Sequence, residues 1–97
     1  MRKILLALLL CIPLLAENVN VKYFGSVDLN SYTCNYTQSS FVHRICFNQS
    51  EQKAIVLLND TYYQYCGMSK YEVDNWLNAN SKGKYFNAFI KGRYSCR

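Results

Sequence analysis

One histidine, one proline and one tryptophan occur among the 97 residues, and the six Asp and Glu are outnumbered by eleven Lys and Arg. With so few acids, scattered along the chain, no pair of carboxylates is placed for general acid–base work. His43 alone titrates near neutral pH unperturbed, and a catalytic base needs an oriented partner that the sequence does not supply, so His43 reads as a strand residue. No G-x-S-x-G elbow, H-E-x-x-H pair or Walker loop is present. Close C-x-x-C spacing is also missing, which argues against a zinc site and against a dithiol redox centre. These absences predict a non-enzyme with no metal and no cofactor. No internal repeat or low-complexity tract divides the chain.

Arg2-Lys3, the apolar run from Ile4 to Leu15 and the small Ala16 before Glu17 have the three regions of a secretory signal peptide. The run is too short to cross a bilayer, which takes about 20 residues. Residues 1–16 are therefore expected to be removed, with cleavage after Ala16 and a periplasmic or secreted product. A lipid anchor on Cys11 is the weaker alternative, because Leu10 stands where a small residue is wanted. The remainder has room for one domain, and a domain of that size buries only about 60 to 65 per cent of its unfolded surface. Extra fastening is expected. Cys34, Cys46, Cys66 and Cys96 form an even set, which in an exported chain reads as two disulfides.

The most legible stretch runs from Asn59 to Tyr94. Asn59-Asp60 suits a tight hairpin turn between two runs of strand formers. Beyond it, Tyr63 and Tyr65 fall on one face of a strand and Tyr62, Gln64 and Cys66 on the other. Ser69-Lys70-Tyr71-Glu72 fits a capping box, with Ser69 accepting from the backbone and Glu72 reaching back. Val73, Trp76 and Leu77 then make an apolar helical stripe that stops between Asn80 and Gly83, and Phe86, Phe89 and Ile90 repeat the pattern in a shorter segment. Upstream, Phe41 to Phe47 predicts a strand with Phe41, His43, Ile45 and Phe47 on one face and Val42, Arg44 and Cys46 on the other. Ala54 to Leu58 is apolar on both faces, as a middle strand requires. From Glu17 to Tyr36 the signal is weaker: Val19, Val21 and Tyr23 alternate with polar residues until Gly25-Ser26 breaks the run. The fold predicted is α+β, a three-stranded antiparallel meander followed by one helix and a second short helix, stapled by disulfides.

Ser39-Ser40, Phe47-Asn48, Tyr63-Gln64-Tyr65, the run from Ala79 to Asn87 and Ile90-Lys91-Gly92-Arg93-Tyr94 together resemble the KTSC domain. This is a module of about sixty residues found alone in many bacterial proteins and at the end of some lysyl-tRNA synthetases. The resemblance covers Ser39 to Tyr94, implies a domain over 39–97 with an N-terminal extension over 17–38, and marks Tyr63 and Tyr65 as its motif. The family has no established activity, although RNA binding has been suggested for it. Ser69 replaces a common Pro, and the cysteines depart from cytosolic members. The resemblance also implies a pairing: Cys34 and Cys96 flank the common domain and would join, leaving Cys46 with Cys66. That second bridge meets a difficulty, since residues on first and third strands lie roughly 9.5 Å apart and a bridge reaches only about 6 Å.

Binding is the expected class of function. Lys82, Lys84, Lys91, Arg93 and Arg97 interleave with Tyr85, Phe86, Phe89 and Tyr94 with no acid among them, as on a surface that takes phosphates and stacks bases. The opposing expectation is structural, with Phe86, Phe89 and Ile90 in the core and Gly83 ending a helix. An exported basic domain meets anionic envelope polymers, extracellular nucleic acid or another envelope protein. Asn35, Asn48 and Asn59 each begin an N-x-S/T acceptor.

Overall fold

The computed structural model describes residues 17–96. The predicted signal peptide and Arg97 lie outside the described residues. Strands β1 (Asn18–Val21), β2 (Gly25–Asp28), β3 (Thr33–Tyr36), β4 (Val42–Asn48), β5 (Lys53–Leu58) and β6 (Thr61–Cys66) precede helices α1 (Lys70–Asn78) and α2 (Lys82–Tyr85). The second helix widens into a π-helical turn over Phe86–Ile90. The α+β class is as the sequence predicts. The meander β4–β5–β6 is present as well, but it is the centre of a six-stranded mixed sheet ordered β2-β1-β6-β5-β4-β3. The break read at Gly25-Ser26 falls slightly earlier, in the turn over residues 22–24, and Gly25 opens β2, which pairs antiparallel with β1; β1 in turn lies parallel to β6 at Val21 and Tyr62.

The two edge strands are consecutive in sequence, and this bends the sheet. Five strand spacings of about 4.8 Å would hold the edges of a flat sheet roughly 24 Å apart. The link from Asp28 to Thr33 reaches at most about 18 Å. The sheet must therefore curl. Its enclosed face gathers residues from all six strands into one small core, with Val21, Leu29, Cys46 and Ile55 buried and Val19, Val27, Tyr32, Cys34 and Tyr62 against them. The outer face carries the larger core, in which Val42, Ile45, Ala54, Val56 and Met68 meet Val73, Trp76, Phe86 and Ile90 of the helices.

A bulge in β4 corrects the alternation expected there. Val42 pairs with Leu58 and Arg44 with Leu57, so His43 is the extra residue. The slip returns Val42 to the helix side with Ile45 and Phe47, while Cys46 keeps to the enclosed face. Arg44 is buried and bonds bidentately to Glu17 at 2.7 and 2.9 Å, has no acceptor for its Nε–H among the described residues, and lies under the ring of Tyr36 at 4.8 Å. The Tyr62 hydroxyl stands 3.0 Å from the same guanidinium and accepts from it. The guanidinium holds the Glu17 carboxyl below its ordinary range.

The Asn59-Asp60 turn forms as predicted, with Asn59 in the left-handed region at φ 56°. Ser69 caps α1 by accepting from the Glu72 N–H at 3.1 Å. Glu72 does not complete the box; its carboxylate turns instead to Tyr85 and Tyr94. Val73 and Trp76 are buried in the predicted stripe, and the Trp76 Nε1–H donates to the Lys82 carbonyl at 3.0 Å, fixing the corner between the helices. Gly83 does not end α1. It lies inside α2, buried, where a Cβ would stand 2.6 Å from the Phe41 ring. Phe89 is 50% exposed instead of buried, because the π-helical turn swings it away from Phe86 and Ile90.

The disulfides join Cys34 to Cys46 and Cys66 to Cys96, which overturns the pairing that the resemblance implied. The reason is topological. Residues 33–36 form an edge strand beside β4, so Cys34 faces Cys46 directly with Cα atoms 3.9 Å apart. Cys66 lies at the end of β6, two strands away from Cys46, and the C-terminal tail brings Cys96 to it.

Candidate functional site

Past Val21 the chain leaves the β6 edge in a turn, with the Phe24 N–H donating to the Val21 carbonyl at 3.0 Å, and Tyr23 takes φ 74°. This sets Tyr23 and Phe24 on the surface, 86% and 46% exposed. On the other side the C-terminal tail returns to β6, where the Cys66 N–H donates to the Tyr94 carbonyl at 3.0 Å and the Cys66–Cys96 bridge locks it. Between them lies a cleft of about 440 Å³ lined by Tyr23, Phe24, Gln64, Tyr65, Tyr94 and the tail from Gly92 to Cys96, including Arg93. Aromatic walls, one guanidinium and no acidic side chain make it suited to planar or apolar groups that carry negative charge.

The walls are held from behind. Glu72 accepts hydrogen bonds from the hydroxyls of both Tyr85 and Tyr94, the latter at 2.7 Å, and so ties the tail to α1. Burial, reinforced by the hydrogen bond to Glu72, pushes the Tyr85 phenol up to about 12 and raises that of Tyr94. Burial likewise pushes Tyr65 up to about 12. The Tyr85 ring stacks over Trp76 at 6.4 Å, and Tyr65 meets Phe86 edge-on at 6.2 Å. Gln64 Nε2 points at the bridge, 3.6 Å from Cys96 Sγ.

The residues singled out in the sequence divide. Arg93, Tyr94 and Tyr65 come together in the cleft. Tyr63 does not line it. Lys82 bends back to donate from Nζ to the Ala79 carbonyl at 2.7 Å, Lys84 is exposed on α2, and Tyr85 is committed to Glu72. Lys91 is exposed next to the tail. Tyr23 and Phe24, the opposite wall, were missed because a strand-like alternation hides a turn; the signal was Gly25, one residue past Phe24, where the chain must reverse. A second depression of about 460 Å³ lies between β3, β4 and α1, with Asn35, Phe47 and Asn48 among its walls and the Lys70–Asp74 ion pair at its rim. Its Asn48 is buried and spends its amide on Ser31, Ser50 and the Glu51 N–H. Among the described residues no three of His, Cys, Asp and Glu stand together as a metal-binding group, and no helix is long and apolar enough to cross a membrane.

A KTSC domain family model matches residues 38–94. The crystal structure of a KTSC domain protein from Yersinia pestis is similar to this chain, with a TM-score of 0.63 and 27% identity over 68% of this chain and 94% of that one. No curated protein is similar to it. The match begins after β3, so the hairpin carrying Tyr23 and Phe24, and Cys34 with it, precedes the matched segment. With the family model spanning more than half of the sequence, and the meander, both helices and the Tyr63-Gln64-Tyr65 strand all inside it, the chain belongs to the KTSC domain family.

Proposed function

We infer that the protein is a small exported, non-enzymatic binding module whose ligand site is the aromatic cleft between the Tyr23-Phe24 turn and the Arg93–Cys96 tail. The observation that carries this reading is the pair of exposed aromatic rings facing a tail fastened by a disulfide and by the Tyr94–Glu72 hydrogen bond. An exposed turn has no folding reason to display two large rings. Export is supported by the two bridges, which persist in oxidising compartments, and by the signal-peptide pattern of residues 1–16.

A single-strand nucleic-acid surface draws less support. It requires Lys82, Lys84 and Tyr85 to act with Lys91, Arg93 and Tyr94, and the first and third of these are engaged inside the fold. The test is capture of ligand from envelope extract by the mature protein and by a Tyr23→Ser, Phe24→Ser double variant. Neither ring belongs to either core cluster, so the variant keeps its fold. Loss of capture is expected; undiminished capture removes the cleft as the site.

A further inference from the structure

We propose that the cleft takes an extended acidic peptide, which pairs its backbone with Gln64 in a one-residue gap in the edge of β6. The proposal rests on the cleft being the binding site, and it names the occupant.

Backbone groups along a strand point alternately to the two neighbours. On the outer side of β6, the Tyr62 carbonyl accepts from the Lys22 N–H at 2.9 Å and the Cys66 N–H donates to the Tyr94 carbonyl. Gln64 stands midway and shares their orientation, so its N–H and C=O also face outward, away from β5. There β1 has already turned off, since its pairing with β6 ends at Val21 and Tyr62. Among the described residues no hydrogen bond to the Gln64 backbone crosses the gap. Gln64 lines the cleft. A donor and an acceptor of one strand residue are thus presented together at its floor, the arrangement that an added strand satisfies.

Charge decides which peptide fits. Arg93 lines the cleft and Lys22 sits at its β1 side, with Nζ 5.4 Å from the Tyr23 ring centroid, while no Asp or Glu lines it. Acidic side chains would meet these cations and an apolar or aromatic one would lie against Phe24, Tyr65 and Tyr94. A nucleic acid would satisfy the charge but has no use for a strand edge.

The experiment is an amide NMR titration of the oxidised mature protein. The probes are the acetylated, amidated peptide Asp-Val-Glu-Phe-Asp, its counterpart Lys-Val-Lys-Phe-Lys, a fully N-methylated copy of the acidic peptide, and a short oligothymidylate. The acidic peptide is expected to move the Gln64 amide downfield and to saturate, the basic one to leave it in place, and the methylated copy to bind at least about tenfold more weakly for want of its donor. Binding of the acidic peptide with Gln64 unmoved, or equal binding of all three peptides, overturns the proposal. So does a Gln64 response to the oligonucleotide alone. If no peptide binds while the Tyr23→Ser, Phe24→Ser variant still loses capture of envelope ligand, the cleft stands as the site and the peptide is excluded as its occupant.

Discussion

The Glu72 carboxylate accepts the Tyr94 hydroxyl at 2.7 Å and the Tyr85 hydroxyl on its other oxygen, joining the first turn of α1 to the C-terminal tail. A residue at this position of a capping box ordinarily reaches back to its own helix cap. Here it fastens one wall of the cleft.

Glu72→Ala therefore leaves two phenols without their acceptor and should cost about 1–3 kcal/mol in chemical denaturation. The tyrosines also give a pH signature. Tyr85 and Tyr94 are raised in the folded state by burial first and by Glu72 second, with Tyr85 at about 12. Their contribution is complete below the ordinary phenol value of 10.0 and is lost as pH rises through the folded values. Ultraviolet titration should show a late-ionising set in the native protein that moves toward 10 in Glu72→Ala. An unchanged alkaline profile in the variant would remove Glu72 from this role.

Acid acts at the other end of the sheet. The Arg44 guanidinium lowers the Glu17 carboxyl below its ordinary 4.5, so the stabilisation is present above that value and is lost as pH falls through the lower folded one. Stability measured from pH 6 down to pH 3 should fall in wild type and fall less steeply in Glu17→Gln. The same change should leave the alkaline limb in place, because Glu17 and Glu72 share no hydrogen-bond partner. Parallel acid limbs would show that the pair contributes nothing.

The bridges make a separate prediction. Peptide mapping of the unreduced protein should recover Cys34 with Cys46 and Cys66 with Cys96. On the chain-entropy account the first, with a sequence separation of 12, is worth about 3 kcal/mol and the second, with a separation of 30, about 4 kcal/mol. Cys66→Ser, Cys96→Ser should loosen the tail and weaken ligand capture, whereas Cys34→Ser, Cys46→Ser should lower stability and leave capture intact once the protein is folded.

Much of this architecture is legible in the residues. Asn59-Asp60, Ser69 and the Val73, Trp76, Leu77 stripe act locally, so turn, cap and helix face follow from short-range physics. What depends on distant partners is not legible. Cys34 finds Cys46 only because residues 33–36 become an edge strand, and four polar-flanked residues carry too weak a periodicity to announce one. Gly83 reads as a helix stop until Phe41, far off in sequence, is seen to occupy the space of its missing side chain. The β4 bulge is hidden in the same way, since only the register with β5 reveals His43 as the extra residue. Of the cleft, Arg93, Tyr94 and Tyr65 stand out as sequence, but Tyr23 and Phe24 join them only through the parallel pairing of β1 with β6.

The most direct test of the cleft as the working surface is site-specific photo-crosslinking in intact cells, with a photoreactive phenylalanine analogue placed at Phe24 and, as the comparison, at the equally exposed Phe89 on the helical side. A discrete adduct from position 24 and none from position 89 is the result predicted. Adducts from position 89 alone, or none from either, would contradict it.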